Sequence, residues 1–174
     1  MKLNTKITFF ACIFPILSAL YALFSNQISL LLNSLLTLGC LGGFWILDKK
    51  INIFSTKSFL SIIIFILLSV FAGRSISLYE KFIYWDKFLH FLSGFILVVV
   101  SKQIYKKLKG DTNNKALIKL FSLFTAVSGA AVWEIYEFFC DRFLGTSAQN
   151  NSLTDTMLDM ILGSLSALIS IFIV

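Results

Sequence analysis

Apolar residues run through this chain in long stretches, separated by short polar intervals. A bilayer core takes about 20 residues of helix, and six stretches are long enough: residues 7–24, 28–47, 58–74, 82–101, 116–140 and 154–174. The pattern predicts an all-α membrane protein, a six-helix transmembrane bundle in one polytopic domain over residues 1–174. Ser25-Asn26-Gln27 leaves room only for a tight hairpin between the first two spans. Trp45 and Trp85 fall near span ends, where aromatic belts form. Before the fourth span, ISLYEKFIYW (76–85) reads either as a short interfacial helix or as an ordered loop.

Charge gives the spans a direction. With the N-terminus inside, Lys2, Lys6, Lys49, Lys50 and Lys57 join Lys102, Lys106, Lys107, Lys109, Lys115 and Lys119 on the cytoplasmic side. The other side holds only Arg74, Lys81, Lys87 and Arg142. Retention of positive loops in the cytoplasm therefore predicts an N-in/C-in topology in a cell (inner or plasma) membrane. The acids go the opposite way: Asp48 and Asp111 are cytoplasmic, and Glu80, Asp86, Glu134, Glu137, Asp141, Asp155 and Asp159 are extracytoplasmic.

Composition adds weight to the membrane assignment. The 174 residues are 57% hydrophobic and 14% charged, and the mean hydropathy is +0.86. A net charge of +6 would suit nucleic acid, but the lysines flank one interspan loop and no aromatic-basic motif accompanies them. Anionic lipid is their expected neighbour. The N-terminal apolar run is long and lacks an A-x-A site, so it reads as an uncleaved span. Cys12, Cys40 and Cys140 show no metal or redox spacing. Pro15 is expected to bend the first span, Gly39, Gly42 and Gly43 to let helices pack closely, and Gly94 to do the same in the fourth. The nineteen phenylalanines read as lipid-facing and core filler.

Three motifs break the apolar pattern. Span four begins YWDKFLHFLSGF, placing Asp86 and His90 on one helix face. Span five ends WEIYEFFCDRF, with Glu134 and Glu137 three apart. Span six begins SLTDTMLDMILGS, with Asp155 and Asp159 four apart. All three pairs fall at the extracytoplasmic ends of their spans. They sort into a shallow tier of Asp86, Glu137 and Asp155 and, about one turn deeper, a tier of His90, Glu134 and Asp159.

Holding these five acids neutral at pH 7 without compensation would cost on the order of 20 kcal/mol. A whole domain is stable by only about 5–15 kcal/mol. The acids must therefore be wet, paired with His90, Arg74, Lys87 or Arg142, or bound to a metal. Asp86 and Asp155 could also act as N-terminal helix caps, and Glu137 could reach the headgroup region. Intramembrane ionisable groups are functional by default, so Asp86, His90, Glu134, Glu137, Asp155 and Asp159 are the candidate metal ligands. His90, Glu134 and Asp159 are the candidate catalytic groups, with Arg74 and Gln149 as further polar members. Asn150 and Asn151 could help Gln149 cover the site. Oxygen-rich ligation suits Mg²⁺, Mn²⁺ or Ca²⁺.

The ordered set D-K-x-x-H-F (Asp86 to Phe91), E-x-x-E (Glu134, Glu137) and Q-x5-D-T-x-x-D-M (Gln149, Asp155, Thr156, Asp159, Met160) resembles the YjdF-like bacterial inner-membrane proteins. The resemblance covers roughly the C-terminal half. VanZ-like proteins, associated with glycopeptide-antibiotic resistance, are more distantly similar. Their arginine between the acidic segments has only a loose counterpart here, in Arg142.

Three functions stay open at this point. One is a metal-dependent enzyme acting on a lipid headgroup or lipid-linked envelope substrate, with His90 or Glu134 as acid/base. D-G-x-x-A-R, E-x-x-H, HExxH and GxSxG signatures are absent. Another is a non-catalytic envelope or antibiotic-resistance accessory binder. The third is a proton-coupled transporter using Glu134, Asp159 and His90 as a relay, for which no inner-half acid supplies a second gate.

Overall fold

The structure, a computed structural model, describes residues 3–110 and 114–173. Lys2, Asp111 and Val174, which enter the charge count and the last span above, lie outside the described residues. The fold is all-helical, and six helices among the described residues are long and apolar enough to cross a membrane. The chain forms two compact units, one ending at Trp85 and the other starting at Asp86.

In the first unit, α1 (Leu3–Phe24) and α2 (Ile28–Ile51) form the expected hairpin. Next comes α3 (Thr56–Ile66), continued by a π-helical segment, Leu67–Ser75. Ser55 begins α3 by accepting a hydrogen bond from the Ser58 amide. In the π segment, Ser69 donates to the Phe65 carbonyl, and a bond of that kind competes with the regular helical ladder. The 76–85 stretch contains a single helical turn, α4 (Leu78–Lys81). The core is Ala11, Leu41, Phe59 and Ile63. Gly39, Gly42 and Gly43 do not serve close packing: a methyl group at any of them would meet nothing within 4 Å. Small hydroxyl residues take that part instead, with Ser34 donating to Ser18 across α1 and α2 at 2.9 Å.

The second unit consists of α5 (Trp85–Lys109), α6 (Lys115–Leu144) and α7 (Leu153–Ile173). Asn114 caps α6 through the Leu117 amide, and Gly145 (φ +67) ends it in the left-handed conformation that favours glycine. Val98, Ala126, Ala167 and Ile171 form the core, one or two from each helix. A layer of small residues lies one turn from the acidic motifs. A methyl group on Gly94 would strike Ser166 Oγ and the Gly163 carbonyl, and one on Gly163 would sit 3.2 Å from Ala130 Cβ. Gly94, Ala130 and Gly163 each stand four residues after or before His90, Glu134 and Asp159, so the tight crossing holds those three side chains at one level.

Outside, large apolar side chains are exposed, Phe24, Phe124 and Phe172 among them. Inside sit serine, alanine, histidine and three acids. That inversion suits a chain whose solvent is lipid, where close backbone approach and polar contacts replace the hydrophobic drive.

Candidate functional site

His90 is the pivot. It is 7% exposed, and its Nε2 lies 3.7 Å from Asp86 Oδ1, 3.8 Å from Glu134 Oε1 and 4.0 Å from Asp159 Oδ1. The helical spacing supplies Asp86 from one turn away on α5, and α6 and α7 deliver the other two. Glu137 also has a carboxylate oxygen within 4.8 Å of both His90 and Glu134 ligand atoms. The deeper residues His90, Glu134 and Asp159 are buried, and Asp86, Glu137 and Asp155 are half-buried.

The remaining oxygens of these acids are held by the protein. Gln149 Nε2 donates to Glu134 Oε2 at 3.3 Å and to the Glu134 carbonyl at 3.1 Å. Trp133 Nε1 donates to Glu137 Oε1 at 2.8 Å. Lys87 Nζ donates to Asp159 Oδ2 at 2.7 Å and to Asp155 Oδ1 at 2.5 Å, and lies 3.5 Å from Asp86 Oδ2. Asn150 Nδ2 reaches Asp155 Oδ2 at 2.9 Å. Asp155 does not cap α7, because its own amide donates to Ser152 Oγ, which is the cap.

Two oxygens stand apart. Glu134 Oε1 and Asp159 Oδ1 are buried without a hydrogen-bond partner in the protein, on side chains only 4% and 1% exposed. Both face His90 Nε2. An unsatisfied buried acceptor costs about 1–3 kcal/mol, more when charged, so a pair of them aimed at one point marks a place built for a donor or a cation. Donors around an oxygen-ligated ion bound at 2.3–2.6 Å stand about 3.3–3.7 Å apart in octahedral geometry. From His90 Nε2 the observed 3.7–4.0 Å exceeds that by only a few tenths of an ångström, and around it the carboxylates fall into two groups, Asp86 with Asp159 and Glu134 with Glu137, each with ligand atoms within 4.8 Å.

Of the candidate cations, Lys87 and His90 make the ion pairs of the cluster. Arg74 belongs to the first unit, at the end of its π segment. Arg142 is exposed in the last turn of α6.

Sequence reasoning placed Asp141 among the outer acids without giving it a role. Its carboxylate accepts from Thr146 Oγ1, from the Ala148 amide at 2.7 Å and from the Gln149 amide at 2.9 Å. It thereby folds the α6–α7 loop back so that Gln149 lands on Glu134. The available signal was an acid in a helix's last turns, where the dipole disfavours it. Asp141→Ala is expected to free the loop, seen as faster proteolysis within residues 145–152. A change in any cation affinity of about tenfold, the scale of outer-shell contacts, should accompany it.

The family model described as "Predicted membrane protein (DUF2238)" matches residues 6–174. A Thermotoga maritima protein described as "Uncharacterized protein" is 34% identical over 106 residues, 61% of this chain and 54% of that protein. The chain thus spans about half the length of this curated relative. No solved structure matches. With the match running nearly end to end, the chain belongs to the DUF2238 family of predicted membrane proteins.

Proposed function

We propose that this is a multi-pass inner- or plasma-membrane protein, one polytopic domain with both termini in the cytoplasm. On this reading the three-helix unit carries a divalent-cation site at its extracytoplasmic end. Asp86, His90, Glu134 and Asp159 are the ligands and Glu137 an accessory one. The observation that carries the reading is the convergence of two buried, partnerless carboxylate oxygens on His90 Nε2. Of the five carboxyl groups there, the Lys87 ammonium reaches only Asp86, Asp155 and Asp159, and a divalent ion offsets their repulsion better than water does. Mg²⁺, Mn²⁺ or Ca²⁺ fits the oxygen-dominated set.

A bound ion would polarise a phosphate oxygen of a lipid headgroup or lipid-linked envelope substrate. His90, Glu134 and Asp159 would fix the reacting group, with His90 or Glu134 moving the proton. The order of the D-K-x-x-H-F, E-x-x-E and D-T-x-x-D-M motifs, all of which fall on this cluster, supports placing the chain among YjdF-like proteins.

The test is Mn²⁺ binding by the purified full-length protein in lipid nanodiscs. One ion per chain is expected, with affinity at least about 100-fold lower in His90→Ala, a loss above the outer-shell scale. Absence of Mn²⁺, Mg²⁺ and Ca²⁺ binding up to millimolar concentrations would overturn the reading.

A further inference from the structure

Two carboxylates of the cluster each turn one oxygen to the Lys87 ammonium and the other to the His90 imidazole. Asp159 gives Oδ2 to Lys87 Nζ at 2.7 Å and turns Oδ1 toward His90 Nε2 at 4.0 Å. Asp86 sets Oδ2 at 3.5 Å from Lys87 Nζ and Oδ1 at 3.7 Å from His90 Nε2. Carboxylates that bridge in this way are the framework of two-metal sites, whose ions stand about 3.5–4 Å apart. Here one of the two bridged positions is taken by an ammonium that Asp155 also holds, at 2.5 Å.

We infer that Lys87 is the resident second cation of a bridged two-cation site, so that the cluster takes one divalent ion and no more. The inference rests on the metal reading above and adds the site's stoichiometry to it. An ammonium has three donors. Two are spent on Asp155 and Asp159, and Asp86 lies on its remaining side. Lys87 is therefore a positioning residue that contacts no substrate. It supplies fixed charge and turns the partnerless oxygen of Asp159 toward His90. Removing its charge leaves Asp86, Asp155 and Asp159 facing one another around a space that a second divalent ion fits.

The experiment is a Mn²⁺ titration followed by electron paramagnetic resonance, on full-length protein in nanodiscs. The wild type and Lys87→Arg are expected to bind one ion each and to give an isolated six-line spectrum. Lys87→Met is expected to bind two, with the six lines lost to coupling between neighbouring ions. Lys87→Gln, which keeps a hydrogen-bond donor but no charge, is expected to do the same and covers the case in which Lys87→Met does not fold. Adding Asp155→Asn to either variant should remove the second ion and leave the first. One ion in the wild type and one or none in the uncharged variants would overturn this inference while the metal reading stands. No ion in the wild type would overturn both.

Discussion

In chelator, Glu134→Gln is expected to melt above the wild-type protein, and in saturating Mn²⁺ below it. Without a cation, an ionised Glu134 would stand buried in a cluster that already holds Asp86, Glu137, Asp155 and Asp159. Relieving that repulsion is worth about 2 kcal/mol at the effective dielectric of such sites. The amide keeps the shape of the side chain and can still accept from Gln149. A ligand at 100 times its Kd stabilises by about 2.7 kcal/mol, a gain open to the wild type and closed to the variant. For a chain of this length each kcal/mol moves Tm by roughly 2–4 °C, so the order of the two melting curves should invert by several degrees. Asp159→Asn should invert in the same direction with a smaller gain in chelator, because it also weakens the Lys87 pair. Curves in the same order in both media would mean that Glu134 serves Gln149 and the loop, and the cation reading would fail.

The second large effect lies one turn away. Gly94→Leu is expected to cost about 3 kcal/mol or more, at the upper end of overpacking changes. Even the first added carbon meets Ser166 Oγ and two backbone atoms, the Gly163 carbonyl and the Ala167 amide. Backbone cannot swing aside as a side-chain end can, so α5 and α7 must separate. His90 and Asp159 sit one turn from that crossing, and Mn²⁺ binding should fall with stability. Gly39→Ala and Gly42→Ala supply the contrast: with nothing within 4 Å of either position, they should be neutral or stabilising by up to about 1 kcal/mol. Denaturation of the four proteins in one detergent decides the matter. Equal losses at Gly39 and Gly94 would show that backbone flexibility governs both positions and that the crossing does not.

The spans were legible because bilayer thickness fixes the length of an apolar run, and each predicted span lies on a helix, within a few residues at most ends. The acidic pairs were legible because helical period puts residues three and four apart on one face. Less visible was the division of labour among them. Asp86 and Asp155 offer the same side chain at the same place in a helix, yet Asp155 is taken by Lys87 and Asn150, and Asp86 is shared with His90. Only the relative rotation of α5 and α7 decides that. Gly94 could be separated from Gly39, Gly42 and Gly43 on no local ground either, since what a glycine meets is a property of the neighbouring helix. Asp48 is a further instance: counted only as a cytoplasmic acid, it is buried and accepts a 3.0 Å hydrogen bond from Asn4.

The small-residue crossing at Gly94, Ala130 and Gly163 has one more consequence. Directly beyond it, Val98, Ala126 and Ala167 are fully buried against one another, so the three helices close on one another behind the polar cluster. A cation seated between Glu134 and Asp159 would enter and leave by the same mouth. On the cation reading its exchange would be with one compartment alone, and the site's occupancy would follow the divalent-cation level on that side.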